Sequence, residues 1–255
     1  MKNIARCIMA LLTMMAGFSM LNAQDKGYEI MKKNDELKEA KDVTSDITLV
    51  LVNKNGNKKQ RKMKLYSKKR KEGYDSFFEI LSPADVEGMR FLTLARKGDD
   101  EQRMFLPALG KSRKISGSSK DGKFLGSDLY FYDLEDHDFD DFTYKFIKEE
   151  VWEGHEYYVV ELYPKDKKAP YSKVVDWVRK DNYFVYKEEM YDKSQDRHIK
   201  TLLAKEVIEI DGIMIAAKMK IINHKDKHQT FYVEQNHKVN AGMVDNIFTV
   251  KNLEN

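Results

Sequence analysis

The sequence predicts a mainly β fold: a curled antiparallel sheet of about 11–13 strands forming a half-open barrel, with an N-terminal helix and a lid of loops and short helices. Three observations predict it. Beyond residue 42 the chain consists of runs rich in Val, Ile, Thr, Tyr and Phe, each ended by Gly, Pro, Asn or Asp. The breaks between runs are short, so consecutive strands are antiparallel neighbours, and so many strands in one sheet must twist and curl to hide their edges. Several runs are also apolar on both sides. Ile47, Leu49 and Leu51 alternate with Val50 and Val52, and Tyr158, Val160 and Leu162 alternate with Tyr157, Val159 and Tyr163. A half-exposed sheet keeps one face polar. Here a helix, a lid, a ligand or the barrel's own side chains must cover the concave face.

Lys2 and Arg6 precede an apolar stretch, Ile8 to Leu21, and small Ala23. Residues 1–23 therefore read as a secretory signal peptide cut at Ala23-Gln24. The apolar stretch is too short and too poorly flanked for a spanning helix. The single cysteine, Cys7, falls inside it, which leaves residues 24–255 without a disulfide, a thiol nucleophile or a thiolate metal site. Losing Lys2 and Arg6 takes the net charge from +3 to 3 − 2 = +1. A near-neutral chain has no field for nucleic acid, and the basic run Lys58 to Lys71, interleaved with Met63, Leu65 and Tyr66, reads as the solvated face of a strand. No linker or repeat divides residues 24–255, which read as one domain.

YEIMKKNDELKEAK, Tyr28 to Lys41, is the one convincing helix, with Ile30, Met31, Leu37 and Ala40 on one side. DITLVLVNKNGNKKQRKMKLY follows as two strands joined at Asn55-Gly56, a dipeptide suited to a tight hairpin. YDSFFEIL, MRFLTLAR and QRMFL are the next strands. The second half is a meander of seven more, from TYKFIKEEVW to QTFYVEQNHKV.

Between the two halves lies LPALGKSRKISGSSKDGKFLGSDLYFYDLEDHDFDD, Leu106 to Asp141, with four of the thirteen glycines. Gly110-Lys111-Ser112 looks like the end of a phosphate-binding loop, but Phe105 stands where that motif needs a glycine. Gly117, Gly122 and Gly126 have the wrong spacing for a dinucleotide fingerprint, and Lys114 replaces the second glycine of a hydrolase elbow. Asp136, Asp138 and Asp140 have calcium-loop spacing, yet Asp141 and Ile147 occupy the positions of the turn glycine and the bidentate glutamate. His224 and His228 lack the glutamate of a zinc-hydrolase helix. No base–nucleophile pair emerges. The expectation is a protein that is not an enzyme and needs no cofactor or metal; a hydrolase using Asp133 to Asp141 is the least favoured reading.

The order of landmarks resembles the LolA-like outer-membrane lipoprotein-sorting family. They are EILSPADVEGMRFL, MFLPALGKSRKISGSSKDGKFLGSDLYFYDL, ELYPKDKKAPYSKVVDWV and a closing IFTVKNL. Pro83 and Gly88, then Phe105, Leu106 and Pro107, then Arg113, Ile115 and Ser116, then Phe124, Gly126, Ser127 and Asp128 carry the resemblance, with Met104 where a tryptophan is common. It implies a half-open barrel closed by helices around an apolar cavity, and a periplasmic carrier of lipid or lipoprotein acyl chains. An inner-membrane transporter or an outer-membrane acceptor would be its partners. The alternative is a side-chain-filled barrel that docks on an envelope transporter or sensor. Phe91, Phe105, Leu109, Phe124 and Trp177 are the expected cavity residues, chosen for size and nearness to these landmarks. Gly126 lets a covering lid turn, Asp128 caps the segment that follows, and Arg113 is expected to latch the lid by pairing with Asp128 or Asp133.

Overall fold

The computed structural model describes residues 23–255, so the signal-peptide reading falls almost wholly outside the described residues. Helix α1 covers residues 23–35. The strands of the first half are β1 (Asp42–Val52), β2 (Lys58–Lys69), β3 (Tyr74–Ser82), β4 (Arg90–Leu94), β5 (Glu101–Leu106) and β6 (Lys111–Ile115). Those of the second half are β7 (Phe142–Trp152), β8 (His155–Pro164), β9 (Tyr171–Arg179), β10 (Val185–Asp192), β11 (His198–Ile210), β12 (Ile213–Asn223) and β13 (His228–Val239). A short helix, α2 (Val250–Glu254), ends the chain. All thirteen strands form one antiparallel sheet, in the order β6-β5-β4-β3-β2-β1-β13-β12-β11-β10-β9-β8-β7.

That order is a meander folded back on itself. Each strand pairs with its sequence neighbour, and β1 also pairs with β13, Leu49 lying opposite Tyr232 and Leu51 opposite Thr230. Only β6 and β7 fail to meet, so the sheet is curled but not closed. Register shifts at Thr44/Asp46, Lys62/Met63, Phe146/Lys148 and Ala204/Glu206 supply the extra bends that such curling needs. The β1–β2 hairpin turns at Gly56, whose φ of 80° only glycine adopts without strain.

The apolar residues on both faces have separate partners. On the concave side Ile47, Leu49, Met63, Phe78, Ile80 and Phe91 form one buried cluster under the β6–β7 connection. At the other end of the same face, Tyr144, Val160, Leu162 and Val178 pack against Ile30 and Met31 of α1. On the convex side Phe77, Leu92, Leu94 and Phe105 are capped by Phe248 and Leu253 from the C-terminal segment. A second convex cluster joins Tyr157, Val159, Val175 and Trp177.

The helix starts earlier and ends sooner than the Tyr28–Lys41 expectation. Beyond residue 35 the backbone finds partners in the sheet: Lys69 N–H donates to the Lys41 carbonyl at 2.8 Å, and Lys41 N–H to Asn240 Oδ1 at 2.7 Å. Tertiary hydrogen bonds override a helical pattern that burial of Ala40 only mimics.

Gly27 lets α1 lie directly on β7. A Cβ added there would sit 2.6 Å from the Phe146 nitrogen. Helix propensity alone would make Gly27→Ala stabilising by about 1 kcal/mol. Contact with rigid backbone outweighs this, and Gly27→Ala should lower unfolding free energy by about 1–3 kcal/mol in urea melts.

Candidate functional site

The connection from β6 to β7, residues 116–141, crosses the concave face from one sheet edge to the other as a chain of short 3-10 turns. It is a lid. Phe124, 1% exposed, seats between Phe78 and Phe91 with ring centroids 5.6 and 5.4 Å away, and Phe131 packs against Phe91 in a tilted arrangement at 5.4 Å. Gln102 of β5 donates from Nε2 to the Phe131 carbonyl at 2.8 Å. Next to Phe124 the chain turns through Leu125 and Gly126 at φ 50° and 76°. That turn drives Ser127 and Asp128 into complete burial.

Two polar anchors hold the far side of the lid. Asp128 Oδ2 accepts from Thr230 Oγ1 and from His228 Nδ1, each at 2.7 Å, and Asp128 N–H donates to Thr230 Oγ1 at 3.0 Å. The second anchor is Lys200 on β11, 1% exposed. Its Nζ donates to Asp133 Oδ2 at 2.9 Å and to the Asp128 carbonyl at 3.0 Å, and lies 3.4 Å from the Tyr130 ring centroid. Tyr171 OH donates to Asp133 Oδ1 at 2.6 Å, and Tyr130 N–H to Oδ2 at 2.8 Å. A buried ammonium is tolerable only when so enclosed. Burial still pushes the Lys200 pKa down, opposed by the Asp133 carboxylate.

Between lid and sheet lies a cavity of about 440 Å³. Ile47, Leu49, Met63 and Phe78 form one wall, Met219, Ile221 and Tyr232 the next, and Leu162, Val174, Met190 and Leu202 the third. Phe124, Leu129 and Leu134 of the lid roof it. The wall is overwhelmingly apolar, so methylene groups would leave water on entering. Apart from the anchor residues Asp128, Asp133 and Lys200 and the lid's His137, its ionisable exceptions besides tyrosine are Asp176 and Glu188. Burial pushes Glu188 up from 4.5 to about 7, with the Asp133 charge adding to the rise and Lys200 opposing it. Burial and the neighbouring Glu188 push Asp176 well above its ordinary range.

Known proteins place this architecture. A family model described as "Uncharacterized protein" matches residues 72–255. A crystal structure of a DUF1329 family protein from Desulfovibrio piger is 32% identical, superimposes with a TM-score of 0.86, and covers 91% of this chain and 99% of its own. This chain belongs to the DUF1329 family. A domain described as an outer membrane lipoprotein-sorting protein, from Vibrio parahaemolyticus, is 28% identical at a TM-score of 0.86, covering 91% of this chain and all of its own. A LolA superfamily protein from Nitrosomonas europaea is 22% identical at a TM-score of 0.70 over 88% of this chain and 97% of its own, and shares the fold. No curated protein sequence matches the chain.

Within this fold the sequence-derived candidates scatter. Phe124 lines the cavity, and Asp128 and Asp133 reach it from the lid. Phe91 sits one layer behind, between Phe78, Phe124 and Phe131. Phe105 and Trp177 point out of the convex face, because each occupies the opposite strand parity from Met104 and Asp176. Trp177 is covered there by the Lys187 ammonium, 3.7 Å from its ring centroid. Leu109 lies in a 3-10 turn and is 45% exposed. Gly126 turns the lid backbone with a positive φ and faces open space.

Arg113 is exposed on edge strand β6, and the expected pairing with Asp128 or Asp133 is replaced by His228 and Thr230 on one acid and Lys200 on the other. Asp128 caps no helix; its carboxylate points to β13 instead. Asp138 and Asp141 form the capping box of the turn Phe139–Asp141, and no group of three or more metal-ligating side chains assembles among the described residues.

Lys200→Met should strand Asp133 among neutral donors. Urea unfolding should show a loss of about 3–5 kcal/mol, and trypsin should cut the lid at Lys120 and Lys123 faster than in the wild type. The raised acid gives a pH signature. Folded Glu188 keeps a proton that the unfolded chain releases between pH 4.5 and about 7, so its stabilising contribution is complete below that window and fades as pH rises through it. Glu188→Gln should therefore gain on the wild type between about pH 5 and 8, by on the order of 3 kcal/mol in paired denaturation curves.

Proposed function

We propose that this chain is a periplasmic carrier that takes lipid or lipoprotein acyl chains into the cavity between sheet and lid, for outer-membrane lipoprotein sorting or related lipid traffic. The observation that carries the reading is an apolar cavity of about 440 Å³ roofed by a segment that side-chain packing and a few polar contacts, chief among them the Asp128 and Lys200 anchors, hold down. That volume falls in the range of about 300–1,000 Å³ typical of small-molecule sites.

The energetics need no catalytic group. Each buried methylene contributes about 0.8 kcal/mol, so ten of them supply about 8 kcal/mol, which is micromolar affinity before ordering costs. Loading and release then reduce to lid movement. An inner-membrane transporter delivering the chain and an outer-membrane acceptor receiving it are the partners this scheme requires. The apolar leader at residues 1–23 supports the compartment. Among the described residues no helix is long and apolar enough to cross a membrane.

Native mass spectrometry of the protein purified from the periplasm, followed by lipid extraction, tests the reading. A stoichiometric bound lipid or acylated peptide is expected. A clean apo mass, with no uptake of an acyl probe after mild delipidation, would replace it with the docking-protein alternative.

A further inference from the structure

Asp176 and Glu188 lie in the cavity wall, and neither the lid anchors nor the sheet uses them. They are direct cross-strand partners on β9 and β10, so their side chains leave the sheet side by side on the concave face. Asp176 is 5% exposed, and its Oδ1 has no hydrogen-bond partner. The exposed part of Glu188 faces the cavity. The one lysine lining the cavity, Lys200, is already committed to Asp133 and to the Asp128 carbonyl.

This arrangement does nothing for the folded chain. Like charges directly opposite one another in a sheet are destabilising, and a buried carboxyl without a partner has an unmet desolvation cost. Valine and methionine, which occupy neighbouring wall positions 174 and 190, would be more stable in their place. A strand that keeps two acids in an apolar wall points to a ligand group that meets them.

The charges around the pair define that group. The ionisable side chains lining the cavity, tyrosines aside, are four acids (Asp128, Asp133, Asp176 and Glu188) against Lys200 and His137. Burial lowers the His137 pKa, which favours the neutral ring. Near pH 7, where Glu188 gives up its proton while Asp176 keeps its own, the two adjoining buried carboxyls hold one proton between them and carry one negative charge. A hydroxyl would satisfy one acceptor and leave that charge unmatched. A carboxylate or phosphate placed there would add another anion. A primary ammonium brings three donors and one positive charge.

We infer that Asp176 and Glu188 form the polar end of the cavity and receive the ammonium head of an amine-bearing amphiphile whose chain lies along the apolar wall. This rests on the carrier reading above for the chain, and on the acid pair for the head.

Three probes of equal chain length separate the two. Dodecylammonium, dodecanol and dodecanoate are titrated into the delipidated mature protein at pH 7 by calorimetry. The expected order is dodecylammonium at least tenfold tighter than dodecanol, with dodecanoate weakest. The near-isosteric double variant Asp176→Asn/Glu188→Gln should bring dodecylammonium to the affinity of dodecanol, and unchanged dodecanol binding reports that the variant cavity is folded. If that variant does not fold, either single substitution should still reduce the ammonium preference by several-fold. Equal binding of dodecylammonium and dodecanol, or a preference that survives both substitutions, overturns the head-group assignment and leaves the carrier reading standing. Binding of none of the three overturns both.

Discussion

A single buried ammonium sets the terms for the rest of this molecule. Lys200 projects from near the start of β11 into space where water is excluded, and such a cation must be surrounded by oxygens or aromatic faces. The sheet supplies one aromatic face, the Tyr171 ring 5.1 Å away; the remaining partners, Asp133, the Asp128 carbonyl and the Tyr130 ring, all belong to the lid. The charge of Lys200 is therefore met only when the lid is down. When the lid lifts, water entering the cavity solvates the same ammonium, so opening exchanges one set of partners for another. Exchange of this kind makes the net cost of opening smaller than the sum of the contacts broken.

The missing pair of the sheet, β6 and β7, explains why the lid is where it is. Twelve of the thirteen possible neighbour contacts of a closed ring of strands are present, and the chain that would have been a tight turn at the thirteenth is instead 26 residues, 116–141, lying over the concave face. Leaving that seam unsealed gives an interior that this connection covers, and both exposed edges are strands whose outer residues are rich in lysine, arginine and glutamate, which discourages edge-to-edge association.

Much of this was legible in the residues. Alternating apolar runs and their turn dipeptides locate the strands closely, since a strand's pattern is local and the Gly56 and Gly212 turns have no other use. Apolar residues on both faces correctly required a cover for the concave face; the C-terminal segment that caps part of the convex face was not anticipated. Face assignment was not legible. Phe105 and Trp177 are as large and apolar as Phe124, and a stretch such as VVDWV is apolar at either parity, so size and family landmarks chose residues from the wrong side. The latch cation was misassigned for a related reason. Arg113 is near the lid in sequence, whereas Lys200 is distant in sequence and adjacent in space. The signal that would have found Lys200 and Asp176 is a charged residue interrupting a strand that is otherwise apolar, as in HIKTLLA and VVDWV. Such a residue is either an error of register or a buried charge with a purpose.

The pairing of β1 with β13 has a consequence for the order of events during synthesis. The seam at the centre of the sheet joins the first strand of the chain to the last, residues 42–52 with residues 228–239, while every other pairing is made between consecutive strands. Local hairpins form as soon as both their strands emerge, but two half-sheets built this way each present a long unpaired edge until the C-terminal strand arrives. A chain interrupted before residue 228 thus retains nearly all its hairpins and none of its enclosure. Completion of the interior waits on the final tenth of the sequence, and a nascent chain has no finished cavity to occupy before it is released.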